Sequence, residues 1–183
     1  MLKKYYKKII NRLTREIGLQ DTKEIKDLKK RFLNLKIEEN VQIKNPNKLY
    51  LGKNIVIQKG TILHCGGMEW SGFKGQISID DNSVISPYCI LYGAGNIKIG
   101  KNFDCGPCVG IYSSRSDYLD KNRHIFSPIS IGDNVTIYAN VIINCGVTIG
   151  DDSVIGAGSL VLENIPENEF WAGTPAKFIK KIK

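Results

Sequence analysis

The sequence predicts an all-β solenoid built from stacked, three-sided coils, and three observations predict it. From residue 131 onward an aliphatic residue returns at every sixth position: Ile131, Ile137, Ile143, Ile149, Ile155 and Val161. A second set keeps the same interval four positions on, at Val135, Val141, Val147, Ser153, Ser159 and Ile165. Neither a helix (period 3.6) nor an alternating strand (period 2) produces a strict six-residue recurrence. A coil with one inward aliphatic residue per face and a smaller residue at each corner does, and eighteen residues then close one turn.

The same rhythm occurs earlier in pieces: Leu51, Ile57, Leu63; then Ile79, Ile85, Leu91; then Ile99, Cys105, Ile111. The breaks between these pieces are not multiples of six. They imply a two-residue bulge near Gly93-Ala94-Gly95 and two longer excursions out of the coil, at residues 64–77 and 112–129. A solenoid wall has no cleft of its own, so chemistry is expected on these excursions or between subunits.

Before the coils lies a basic stretch with helical periodicity. Leu2, Tyr5, Tyr6, Ile9, Ile10, Leu13 and Ile17 share one face, Gly18 can end that helix, and Asp21-Thr22-Lys23-Glu24 reads as a capping box for a second one with Ile25, Leu28 and Phe32 inward. The chain's net charge is +8, and residues 1–36 alone carry that entire excess. The expected organisation begins with a basic amphipathic cap over residues 1–40, followed by the coils over 41–170. Capping is required because a terminal coil has no neighbour to cover it. The cap's charge also suits contact with an anionic membrane surface. No recognised nucleic-acid-binding motif accompanies it, and no nucleic-acid partner is expected.

No apolar run reaches the length of a membrane span and no cleavable leader is evident, which places the expected location in the cytoplasm, with peripheral contact at the membrane's inner face. The five cysteines fit that compartment. Cys105-Gly-Pro-Cys108 has CxxC spacing but lies on ladder positions without a second pair, so these cysteines are read as small hydrophobes.

The stretch Val147 to Val161, VTIGDDSVIGAGSLV, followed by Ala172-Gly-Thr-Pro-Ala-Lys177, resembles the hexapeptide-repeat acyltransferases. The resemblance covers residues 41–183 and implies a left-handed parallel β-helix closed by a short helix over 171–183, a homotrimer with its sites between subunits, and acetyl-coenzyme A as donor. The stretch His64 to Trp70 and the turn Leu91 to Gly95 look like the branch that acetylates cell-surface sugars. For the donor's narrow pantetheine arm the resemblance implies a low wall at Ala139, Gly156, Ala157 and Gly158, with Lys177 and Lys180 meeting the phosphates.

Acetylating a hydroxyl requires a base, which a neutral imidazole within hydrogen-bond reach supplies. The chain has two histidines, His64 and His124, one in each excursion. Many relatives carry the base in the pattern Ser-Ser-x-His, whereas this chain reads Ser113-Ser114-Arg115-Ser116, with serine at the histidine's place. Either His124 reaches the same point from later in the loop or the chain is not a standard catalyst. His124 is the first candidate for the base, with Asp117 to orient it. His64, Trp70, Arg115 and Arg123 are candidates for the acceptor, since aromatic rings stack on sugars and guanidinium binds anions in bidentate fashion. Phe73 shares the first excursion with Trp70. The function expected is O-acetylation of a polysaccharide sugar or its precursor. N-acetylation of an amino-sugar nucleotide and a non-catalytic scaffold are the alternatives. A zinc site of three histidines has poor material here, and no metal is expected.

Overall fold

The computed structural model describes residues 23–67, 72, 74–120 and 122–182. The first predicted helix and the candidates Trp70 and Phe73 lie outside the described residues. The coil is a prism of three parallel sheets. The first face stacks Lys36–Ile37, Val56–Ile57, Val84–Ile85, Asp104–Cys105, Thr136–Ile137 and Val154–Ile155. The second stacks Gln42–Lys44, Ile62–Cys65, Ile90–Gly93, Gly110–Tyr112, Ile142–Ile143 and Leu160–Val161. The third stacks Leu49–Leu51, Ile77–Ile79, Ile97–Ile99, Ile129–Ile131 and Thr148–Ile149. Each strand is only a few residues long because the chain must turn a corner every six.

Both ladders of the sequence point inward. Ile137, Ile143, Ile155, Val135, Val141 and Ser153 are fully buried, and the aliphatic residues form one continuous core. Register is exact along a face, so that Cys105 sits beside Ile85 on one side and Ile137 on the other. The corner between the third and first faces is held by a ladder of amides. Asn54 donates to Asn82, Asn82 to Asn102 and Asn102 to Asn134, which in turn donates to Asp152. All five residues have left-handed φ between 54° and 59°. Asparagine tolerates that conformation better than other side-chain-bearing residues, and here its amide is spent on the next coil.

A helix at Lys23–Arg31 covers the amino-terminal end, with Ile25 and Leu28 buried in the core cluster. The coil begins inside the expected cap, because Lys36–Ile37 already pairs with Val56–Ile57. The carboxy-terminal end corrects the sequence reading. Residues 171–183 were expected to close the chain with a helix, whereas Glu169–Gly173 and Ala176–Lys181 form an antiparallel hairpin that extends the first face. The open edge at Val154–Ile155 explains this: an unpaired strand edge needs a partner, and Glu169–Gly173 supplies one, with Gly156 N–H donating to the Trp171 carbonyl at 2.8 Å. Trp171 then packs edge-on against Phe178, which a helix would carry away.

The cysteines behave as packing residues. Cys65, Cys89 and Cys105 are buried and all five thiols are free. Burial alone pushes the Cys65 thiol up to about 12. Within the CxxC spacing, Cys108 is exposed, and the thiol near Cys105 is that of Cys89, at 3.8 Å. Among the described residues no group of three His, Cys, Asp or Glu side chains is placed to hold a metal ion. No described helix is long and apolar enough to cross a membrane.

Candidate functional site

Both long breaks in the rhythm leave the prism at the same edge. The first departs after Cys65 and rejoins at Ile77; the second departs after Tyr112 and rejoins at Ile129. Their strands on the second face are two coil steps apart, about 10 Å at ordinary strand spacing. The coil between them carries the short bulge, and glycines let the segments meet. A Cβ on Gly75 would run into the backbone of Gly93 and Ala94, and one on Gly95 would meet the backbone of Ser113 and Ser127. The three breaks read separately from the sequence are thus one packed junction.

The second excursion is an antiparallel arm, with Ser114–Ser116 paired to His124–Phe126. Its register sets Ser114 opposite Phe126, Arg115 opposite Ile125, and Ser116 opposite His124. Directly opposed residues share a face of a hairpin with their Cβ atoms about 5 Å apart. His124 therefore stands across from Ser116, on the same side of the arm. Arg115 projects from the other side and is not brought together with His124.

The arm is fixed at root and tip. At the root, the buried Ser113 hydroxyl donates to the Tyr92 carbonyl and accepts from Gly95 N–H, both at 2.8 Å. At the tip, the Asp117 carboxylate is buried; it takes the Arg123 Nε at 3.1 Å and accepts from Leu119 N–H at 2.9 Å. Asp117 N–H also donates to the Arg123 carbonyl. Asp117 thus engages the residue preceding His124, and the Arg123 guanidinium, expected at an acceptor, is partnered within the turn.

His64 occupies a different setting. It is 4% exposed, its ring lies on Tyr92 at 4.5 Å and 14°, and neither ring nitrogen has a hydrogen-bond partner. Burial first, and the Lys44 charge second, lower its pKa from the usual imidazole value. His64 is therefore neutral at pH 7.

The wall residues divide. Ala157 and Gly158 are exposed, and a Cβ on Gly158 would meet nothing within 4 Å. Ala139 is half-buried one coil below, its carbonyl accepting from Gly158 N–H. Gly156 is buried instead: a Cβ there would lie 2.7 Å from that of Ala172. Its smallness serves the closing hairpin. Thr174, in the hairpin turn, donates to the Gly158 carbonyl at 3.0 Å. Lys177 and Lys180 are exposed on the hairpin strand, and Lys177 reaches Glu163 at 3.2 Å. Sequence reasoning missed Ser113 and Gly95 as the anchors of the arm; the phase break beside Gly95 was the available signal.

The bacterial transferase hexapeptide family (six repeats) matches residues 128–163. A galactoside O-acetyltransferase of Escherichia coli is 55% identical over 153 residues, 80% of this chain and 63% of that protein. The match to the Saccharomyces cerevisiae protein YJL218W spans 58% of its length, so the chain covers under two thirds of either relative. Among solved structures, a maltose O-acetyltransferase from Clostridium difficile superposes with a TM-score of 0.62 at 28% identity, over 96% of this chain and 86% of that one. The N-acyltransferase AntD of Bacillus cereus, solved with coenzyme A and a dTDP-amino sugar, gives 0.75 at 24% identity over 86% and 88%, a likeness of fold. Residues 128–163 thus carry the bacterial transferase hexapeptide repeat, and the fold is the left-handed parallel β-helix of the hexapeptide-repeat acyltransferases.

Proposed function

We propose that this chain is an acetyl-coenzyme A-dependent O-acetyltransferase that acts on a sugar hydroxyl, with His124 as general base. The pairing of Ser116 with His124 carries the reading. The serine that stands where relatives hold their imidazole faces an imidazole from the opposite strand of the same arm. That pairing supports the catalytic reading over a non-catalytic scaffold, whose sequence support is the serine at position 116.

The coenzyme supplies an acetyl group activated as a thioester. The exposed, side-chain-poor corner at Ala139, Ala157 and Gly158 suits its narrow arm, while Lys180, and Lys177 beside Glu163, offer charge to its phosphates. His124 accepts the proton of the acceptor hydroxyl as that oxygen bonds to the acetyl carbon, and returns it to the departing sulfur. A positioned base of this kind contributes roughly 10²–10⁴ in rate. Asp117 acts through Arg123 and the turn, as a positioning residue. The assembly is a homotrimer, and residues 1–36 hold it at an anionic membrane surface; sedimentation of the protein alone and with anionic vesicles tests both.

The test is transfer from acetyl-coenzyme A to a panel of glycosides and amino sugars, with the product treated with hydroxylamine. An ester is cleaved and an amide is not. A labile acetyl group on the sugar supports the proposal, and a stable one moves it to N-acetylation. Failure to acetylate any glycoside overturns it.

A further inference from the structure

On the second face, Lys44, His64, Tyr92 and Tyr112 occupy one register on four successive coils. They follow Ile43, Leu63, Leu91 and Ile111, the last three fully buried, so this row lies outside the aliphatic core. The row runs directly into Ser113, the root of the arm that bears His124.

The rings in this row are packed against their neighbours. Tyr112 lies flat on its own strand: a Cβ on Gly110 would fall 2.6 Å from its Cε2 and 3.0 Å from its hydroxyl oxygen, so glycine at 110 is what lets the ring lie there. Tyr92 is backed by the stacked, neutral His64, and its carbonyl takes both the N–H and the hydroxyl of Ser113. With both nitrogens unpartnered, His64 contributes to this row as an aromatic plate. Tyr92 and Tyr112 remain half-buried, one coil apart. Two packed rings in register, on the wall that leads into the arm of His124, are suited to a flat ligand with apolar C–H faces and polar edges, which describes a pyranose.

We infer that Tyr92 and Tyr112 seat the acceptor by stacking on a pyranose ring, with His64 as the positioning residue behind Tyr92. This rests on the sugar-acetylation reading above. Stacking of this kind is worth about tenfold in affinity. Tyr112→Ala is therefore expected to raise KM for a methyl pyranoside roughly tenfold or more, with kcat changed far less. Tyr112→Phe keeps the ring and is expected to hold KM within about threefold. In parallel, saturation-transfer NMR with methyl β-galactopyranoside reads binding without turnover, and light scattering reads assembly. If no sugar is acetylated but the pyranoside is saturated in the wild type and not in Tyr112→Ala, the seat stands and the transferase reading fails. An unchanged KM in Tyr112→Ala overturns the seat. So does a wild type that neither acetylates nor binds the pyranoside, or a loss that accompanies altered assembly.

Discussion

Replacing Ser113 with alanine removes one oxygen and isolates the link between scaffold and arm. The Ser113 side chain is fully buried and makes two bonds of 2.8 Å. The Tyr92 carbonyl would keep the Ser113 N–H, so losing the hydroxyl there costs about 0.5–1.5 kcal/mol. Gly95 N–H has the hydroxyl as its acceptor and would be stranded in a buried site, at about 1–3 kcal/mol. The total is about 1.5–4.5 kcal/mol. For a chain of this size that lowers Tm by roughly 3–18 °C. Urea denaturation with calorimetry measures it, and Ser114→Ala, at a half-buried arm position, serves as the control with a change under about 0.5 kcal/mol. Ser113→Ala should also lose kcat, because the arm carries the base. A destabilisation below about 0.5 kcal/mol would refute the anchoring argument.

Three further outcomes follow from the geometry. Asn102→Ala forces a Cβ-bearing residue without a compensating amide into φ 54° and should cost about 1–2 kcal/mol, whereas Asn102→Gly should cost less than about 1; equal losses would show that the backbone conformation is not the cause. The lowered His64 pKa means that the unfolded chain binds the proton more readily than the fold does. Its contribution is therefore complete above the unfolded value near 6.5 and lost as the pH falls below it. His64→Phe, which keeps the stack, should flatten the wild-type difference in stability between pH 7 and pH 5, and an unaltered slope contradicts the assignment. Asp117→Asn keeps an acceptor for Leu119 N–H but loses the charge on an Arg123 that is 68% exposed, so stability should move by under about 1 kcal/mol. Its kcat should fall on the order of tenfold through misplacement of His124, and an unchanged kcat removes Asp117 from the account.

The coil was legible because its physics is local. One inward aliphatic residue every six positions can be read without any partner strand, and Ile131 to Val161 set the phase of the later coils. The excursions were legible as phase errors, and the structure leaves the coil between Cys65 and Ile77 and between Tyr112 and Ile129. What the sequence withheld depends on non-local contact. The register that brings Ser116 opposite His124 spans eight residues through an irregular turn, and no periodicity encodes it. The Asp117 carboxylate met Arg123 because the turn folds back on itself. Gly156 looked like part of a ligand wall until the closing hairpin covered it. The carboxy-terminal segment misled for the same reason. The basic run after Thr174-Pro175 resembles the family's closing helix, but the uncovered edge of Val154–Ile155, distant in sequence, gains more from a strand.

In the proposed reaction the imidazole of His124 moves the proton. This is tested by kcat for acetyl transfer by His124→Ala against the wild type, with coenzyme A affinity measured on both proteins by calorimetry. A fall of roughly 10²–10⁴ in kcat is expected, with coenzyme affinity unchanged. Activity within a few-fold of wild type would contradict it and leave the arm a structural feature of the β-helix.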